Sequence, residues 1–293
     1  MRVPVGVLFL VLGFLGTSAD AYVRLRTPAG VPLEWRRGCP AFTITASGGA
    51  GLPSAELARL IEGARSAWQD GPGGCAQIPA EVIDADGAGG IEFDGASSIL
   101  WRDADHCVRV GSVEDEVCLS PNAAAVTTVF FYERGDRAGE IVETDVEING
   151  AFVFGLEGET DRVDFLATLT HELGHVLGLE HTCETVPGRA PAVDSAGVRV
   201  PLCFPLGALP EAVRAATMFP FLENGDLAAR TPLVDERGAM CELYRDHAGV
   251  CADTGPGCGC DGGRDAPLAG LFAGVALVWW RRRDRRRAQN RAS

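Results

Sequence analysis

Residues 168–181 read TLTHELGHVLGLEH, and this stretch predicts both the fold and the chemistry of the chain. It contains the pattern H-E-x-x-H-x-x-G-x-x-H, filled by His171, Glu172, His175, Gly178 and His181. Residues four apart lie on one face of a helix, so His171 and His175 present two imidazoles to one point in space. Gly178 can adopt a left-handed conformation that ends the helix, which lets His181 approach as a third ligand from outside it.

Three neutral imidazoles with one open coordination position are the ligand set of a catalytic zinc ion rather than a structural one. Glu172 directly follows the first ligand, where its carboxylate can reach a water on the metal rather than the metal itself. The alternative is an ordinary amphipathic helix with surface or core histidines. The chain has five histidines and three of them fall in this segment, which favours zinc.

The zinc segment resembles the signature of the metzincin metalloproteases. That family implies a methionine turn downstream of the third histidine. Met218, followed by an aromatic residue and Pro220, is similar to the matrixin form of this turn. The alternative for Met218 is a core methionine that fills a gap. The resemblance covers about residues 39–244, and its specific parts are the zinc segment and the methionine turn.

The resemblance implies an α+β fold of α/β layers, a metzincin-like catalytic domain with a mixed twisted sheet packed on an active-site helix and a second long helix. Apolar spacing predicts the second helix over 54–69 and the active-site helix from Asp161. The buried face of the second helix is predicted to contain Leu57, Leu60, Ile61, Ala64 and Trp68. A closing helix is predicted over 235–244. Strands are predicted at residues 41–46, 81–83, 97–101, 125–132 and 141–148.

By the same resemblance, residues 125–132 form the edge strand above the active-site cleft. An exposed edge has unpaired N–H and C=O groups, so an extended peptide substrate can add to it as one more strand. The alternative is an edge strand covered by a loop.

The chain divides into four segments by composition. Residues 1–21 are predicted to be an export signal, with Arg2 before an apolar run and the small residues Ala19 and Ala21 at the cleavage site. Residues 22–250 suit one matrixin-like catalytic domain. Residues 251–265 form a Gly- and Cys-rich linker with a sorting motif, and residues 266–293 contain an apolar segment and an Arg-rich tail.

The C-terminal segments have the order of a sorting signal: a short motif, an apolar segment and a basic end. The apolar run 267–280 has 14 residues, fewer than the roughly 20 of an unstrained spanning helix. The plan resembles the myxobacterial C-terminal sorting tail, which implies membrane contact before processing, then cleavage and retention at the cell surface. The alternative is a simple C-terminal anchor.

Cysteine usage indicates an exported, oxidising location, either extracellular or at the cell surface. Eight of the ten cysteines lie in residues 22–251, and none of these eight forms a C-x-x-C pair of the kind found in structural zinc clusters. Their order favours nearest-neighbour disulfides, although eight cysteines allow 105 pairings. The predicted pairs are Cys39–Cys75, Cys107–Cys118, Cys183–Cys203 and Cys241–Cys251.

Charge and acidic clusters restrict the partners. The net charge is −14, and residues 281–293 contain seven arginines and one aspartate, so the rest of the chain carries −20. An acidic ectodomain argues against nucleic acid as a partner. Calcium could bind at Asp145 and Glu147 or in the run 157–161. A solvated strand face and a negatively charged helix start explain these better, so calcium is left unsupported.

These observations predict a zinc metalloendopeptidase that works as a monomer on protein or peptide substrates. Glu172 is the predicted general base, which takes a proton from the attacking water and passes it to the leaving amine. Two alternatives stay open: a zinc hydrolase of a non-protein amide such as a cell-wall peptide, and a non-catalytic surface protein that keeps zinc for stability. A surface protein that keeps zinc only for stability has no role for the carboxylate of Glu172, which argues against this second alternative.

Overall fold

The computed structural model describes residues 22–36, 42–44, 52, 54–69, 91, 93–102, 107–109, 116–118, 122–185, 192–244 and 272–278. The predicted export signal, the strand at 81–83, the linker at 251–265 and the arginine cluster lie outside these residues. In chain order the strands are β1 (Val23–Arg24), β2 (Phe42–Ile44), β3 (Ser97–Arg102), β4 (Cys107–Arg109), β5 (Glu116–Cys118), β6 (Ala123–Phe131), β7 (Ile141–Asn149), β8 (Leu179–Glu180) and β9 (Phe272–Val278). The α-helices are α1 (Ser54–Gln69), α2 (Phe165–Val176), α3 (Glu211–Ala215) and α4 (Val234–Tyr244).

Five strands of the described chain form the main sheet, in the order β2–β3–β7–β6–β9. The first three run parallel, whereas β6 is antiparallel to β7 and β9 is antiparallel to β6. Two small antiparallel pairs, β1 with β8 and β4 with β5, lie outside this sheet. Helices and a mixed sheet in layers are the α+β arrangement that the sequence predicts, consistent with a metzincin-like domain.

One face of the sheet packs against α1 and α2. Along β7 the side chains of Val146 and Ile148 belong to this core, together with Val129 of the neighbouring β6. The predicted buried face of α1 is confirmed, because all five of its members are core residues: Leu57, Leu60, Ile61, Ala64 and Trp68. The indole N–H of Trp68 donates to the Thr170 carbonyl at 2.8 Å, which fixes α1 against the active-site helix.

Helix α2 begins at Phe165, four residues later than the predicted start at Asp161. The reason is the cap: Asp164 has extended backbone and its carboxylate accepts the N–H of Ala167 at 2.9 Å. Aspartate in this position satisfies one of the N–H groups that a helix start leaves unpaired. The guanidinium of Arg230 binds the same carboxylate, so the cap is also tied to the chain that follows the site.

The predicted solvated acidic face of β7 is wrong. Glu143, Asp145 and Glu147 alternate along the strand on the face away from the helices, and all three are buried. The Asp145 Oδ1 accepts both the hydroxyl and the N–H of Ser98, and Arg102 pairs with Glu147 at 2.6 Å. The alternation of side chains along β7 predicts that the carboxylates share a face of the sheet, but it does not predict that the rest of the chain covers that face.

Burial raises the pKa of Asp145 to about 7, which makes the free energy of unfolding depend on pH. An unfolded aspartate titrates near pH 3.9. The folded chain therefore binds a proton that the unfolded chain has lost between about pH 4 and 7, so stability falls as pH rises through this window. Asp145→Asn keeps an oxygen for Ser98 and cannot ionise. The melting temperature of Asp145→Asn minus that of the parent should therefore increase as pH increases.

This prediction is tested by thermal unfolding at pH 5 and pH 8 with a chelator present, so that metal binding adds no pH dependence of its own. Asp161→Asn is the control, because that carboxylate is 81% exposed. An equal difference between Asp145→Asn and parent at both pH values would contradict the burial argument.

One predicted disulfide, Cys183–Cys203, is confirmed. Cys107 and Cys118 are directly opposite in the β4–β5 ladder, and their predicted disulfide stays a prediction. Cys241 is disulfide-bonded, and its predicted partner Cys251 lies outside the described residues. Cys39 and Cys75 also lie outside them.

Part of the C-terminal apolar run is a strand in this structure. Strand β9 pairs with β6 from Ala123–Val278 to Val129–Phe272, so the edge predicted to receive substrate is covered by the chain itself. Among the described residues, no helix has both the length and the apolar character needed to span a bilayer.

Candidate metal centre

Helix α2 and the turn after it bring together the three predicted histidines. His171 and His175 lie one turn apart on the buried face of α2. The chain then passes through Gly178, whose φ of +87° reverses its direction, and its N–H closes the helix on the His175 carbonyl at 2.9 Å. Strand β8 follows, pairs with β1, and delivers His181 back to the helix.

The Nε2 atoms of the three histidines form a nearly equilateral triangle. His171 and His175 are 3.1 Å apart, His171 and His181 are 3.2 Å apart, and His175 and His181 are 3.3 Å apart. Tetrahedral zinc with bonds of about 2.0–2.1 Å to nitrogen separates its ligand atoms by about 3.3–3.4 Å. The triangle therefore fits one face of a zinc coordination tetrahedron.

The hydrogen bonds of the rings support this fit. The Nδ1 of His171 lies 2.7 Å from the Thr217 carbonyl oxygen, and the Nδ1 of His175 lies 2.8 Å from the Leu179 carbonyl oxygen. A carbonyl only accepts, so each Nδ1 carries the proton and each Nε2 presents a lone pair. Lone pairs held this close repel one another, and a cation between them relieves the repulsion.

The protonation states favour metal binding as well. Burial lowers the pKa of His175 to about 4, and burial with the neighbouring His175 lowers that of His171 well below its ordinary value. Both imidazoles are therefore neutral near pH 7, as metal ligands must be. Among the described residues these three histidines form the one cluster of at least three His, Cys, Asp or Glu side chains close enough to share an ion.

Glu172 directly follows His171 on α2 and is completely buried. Its Oε2 accepts the hydroxyl of Thr127 on β6 at 2.6 Å, whereas its Oε1 has no hydrogen-bond partner. Burial raises the pKa of this carboxyl to about 8, and the Thr127 hydrogen bond opposes part of the rise. An unpartnered carboxylate oxygen next to a metal ligand is suited to bind and deprotonate a water.

The predicted methionine turn packs against α2. Met218 is buried in the main core and contacts Gly174 so closely that a side chain could not fit at that helix position. The Phe219 N–H closes the turn on the Ala216 carbonyl at 3.1 Å, and Pro220 follows, also buried. Met218 is thus a buried core methionine that lies in a turn, and its role beneath the metal stays a prediction.

Sequence reasoning missed the residue that holds this turn. Glu236, on α4 and fully buried, accepts the N–H of Met218 at 2.9 Å with Oε1. Its Oε2 accepts the N–H groups of Thr217 at 3.0 Å and Leu233 at 2.8 Å. Since the Thr217 carbonyl accepts from His171, one carboxylate supports the turn that orients the first histidine. A glutamate in the first turn of a helix carries no signal of this role, because such residues are common there.

We expect Gly178→Ala to destabilise the fold and to weaken zinc binding. A Cβ there would lie 2.8 Å from the Leu33 carbonyl oxygen, in addition to the strain of a positive φ. Gly197→Ala is the matched control, since its φ is +79° with open space around it, and it should cost only the strain, about 1 kcal/mol. Urea unfolding and chelator-competition titration measure both effects, and equal losses in the two variants would contradict the clash.

Glu236→Gln should lower the free energy of unfolding by about 2–3 kcal/mol and weaken zinc binding. A carboxamide has one oxygen, so its NH2 group must face at least one backbone N–H that the carboxylate now accepts. Glu242→Gln on the same helix is the control, because that side chain accepts a single hydroxyl, from Tyr22. Unchanged zinc affinity in Glu236→Gln would show that the clamp does not reach the histidines.

Comparison with known proteins agrees with this geometry. The model of peptidase family M43, described as pregnancy-associated plasma protein-A, matches residues 124–196. The match runs from β6 through all three histidines. M43 peptidases are metzincin-type zinc metalloproteases, so the segment is similar to a metallopeptidase catalytic core. Zinc is the cofactor that the similarity implies. No curated protein matches the chain significantly.

Proposed function

We propose that this chain is an exported, zinc-dependent endopeptidase in which Glu172 is the general base. The observation that carries the proposal is the triangle of three Nε2 atoms beside a buried glutamate with one unpartnered oxygen. The M43 similarity supports the metallopeptidase class. The residues after Met218 favour a matrixin-like form of the turn, so we propose a catalytic core with features of both families.

His171, His175 and His181 would hold the metal and leave one position open. Bound zinc supplies Lewis acidity, which lowers the pKa of a coordinated water and polarises the scissile carbonyl. The histidine rings stay in place because carbonyl oxygens hold the Nδ1–H groups of the two helical ligands. Such outer hydrogen bonds orient ligand rings and fix their tautomers.

Glu172 moves the proton. Its Oε1 takes a proton from the water that attacks the scissile carbonyl, and the same oxygen then gives that proton to the leaving amine nitrogen. Burial raises the affinity of this carboxylate for the proton that it takes. The step begins with the carboxylate ionised, a form that a zinc ion held beside it would favour.

The edge of β6 is our proposed substrate site. A peptide bound there would form main-chain hydrogen bonds in the antiparallel direction that β9 uses. Since β9 occupies this edge in the structure, a substrate must displace it. We further propose that the C-terminal segment contacts the membrane before processing and that the mature protein is extracellular or at the cell surface. The disulfide Cys183–Cys203 supports an oxidising compartment.

Glu172→Ala should retain the fold and bound zinc while turnover of casein becomes undetectable, because the carboxylate proposed to take the proton is removed. Glu62→Ala on the exposed side of α1 is the control and should digest casein like the parent. Zinc stoichiometry by elemental analysis and circular dichroism establish that the Glu172 variant is intact. Peptidase activity unchanged by this substitution would refute the mechanism.

The same proteins distinguish the other function classes. Parent enzyme treated with a chelator should lose casein digestion and regain it with added zinc. Digestion of peptidoglycan but not casein would indicate a cell-wall amide hydrolase. Retained zinc with neither activity would indicate a structural metal site.

A further inference from the structure

Thr127 is the residue through which the main sheet contacts the predicted base. It lies in the middle of β6 and is 1% exposed, and its hydroxyl is 2.6 Å from Glu172 Oε2. The Glu172 carbonyl oxygen is 3.5 Å from the same hydroxyl. Because a hydroxyl has one proton, the short contact to the carboxylate is the bond that it makes.

The position of Thr127 follows from strand geometry. Side chains alternate across a sheet, so Thr127 faces α2 while Val126 and Thr128 face the opposite side. Its main chain is paired on both sides, with Val146 of β7 and with Val275 of β9. One residue therefore contacts the base with its side chain and forms part of the proposed substrate edge with its backbone.

This hydrogen bond limits where the carboxylate can point. The terminal torsion of a glutamate has a broad energy minimum. An unrestrained carboxylate would therefore rotate about this torsion and exchange the positions of its two oxygens. A hydroxyl on Oε2 holds one orientation and leaves Oε1 unpartnered. Both partners lie out of water, where a hydrogen bond is stronger than in solvent and costly to leave unmade.

We propose that Thr127 is a positioning residue for catalysis: it holds Glu172 by Oε2 so that Oε1 faces the reacting water, and it couples the base to the strand on which substrate lies. This inference rests on the proposed peptidase function. A buried threonine that only satisfies its own hydroxyl would not need this partner, because a helix carbonyl would serve, as it does for Thr168.

The test compares Thr127→Val, which keeps the shape and removes the hydroxyl, with Thr127→Ser, which keeps the hydroxyl. In the full chain loaded with zinc, Thr127→Val should lower kcat on the order of 10- to 100-fold with KM within about twofold. Thr127→Ser should restore kcat to within a few fold of the parent. Thr168→Val is the matched control, since it removes a buried hydroxyl that binds the Asp164 carbonyl, and its kcat should not change.

A second measurement does not depend on activity. Thr127→Val should lower the melting temperature in the parent background and have little effect in the Glu172→Ala background, where the hydroxyl has no carboxylate to hold. Equal losses in both backgrounds would overturn the inference, as would a kcat of Thr127→Val equal to the parent. If Glu172→Ala stays active, the proposed function itself fails, so the two failures are separable.

Discussion

The hydrogen bonds that orient the imidazoles of His171 and His175 are the interaction on which the site depends. Two carbonyl oxygens, from Thr217 and Leu179, accept hydrogen bonds from the Nδ1–H groups of these rings, so each Nε2 presents a lone pair to the other rings. Each carbonyl comes from a segment that the chain reaches after the helix. The cluster of three histidines is thus assembled by tertiary packing, although its members lie within eleven consecutive residues.

Packing around Gly174 makes this assembly possible. The Met218 sulfur and the Trp68 ring both approach the helix at this residue, where any side chain would displace them. Met218 comes from the turn and Trp68 comes from α1, so the two elements meet between the two helical ligands. Glu236 then holds the turn through the N–H groups of Thr217 and Met218, and it also accepts the N–H of Leu233 at the start of its own helix. The turn is therefore held by apolar contacts at Gly174 and by the buried carboxylate of Glu236.

Local patterns predicted the residues whose role depends on spacing. Helical spacing, the need for a positive φ and the resemblance of short motifs were sufficient to predict several residues. These are the three histidines, Glu172, Gly178, Met218 and the apolar face of α1. Thr127 and Glu236 could not be found this way, because each acts across a long sequence separation and neither belongs to a motif. The buried acidic face of β7 was misjudged for the same reason, since alternation cannot tell what covers a sheet.

The position of the disulfide Cys183–Cys203 has a consequence for how the third ligand is kept near the turn. The bridge begins two residues after His181 and spans 20 residues of sequence, about half of the chain that leads from His181 to Met218. Halving a flexible connection lowers the entropic cost of bringing its ends together by about 0.6 kcal/mol. The bridge thus shortens the flexible segment between His181 and Met218 in the unfolded chain. Without the bridge, the unfolded chain would have a larger set of conformations from which to bring the three histidines together.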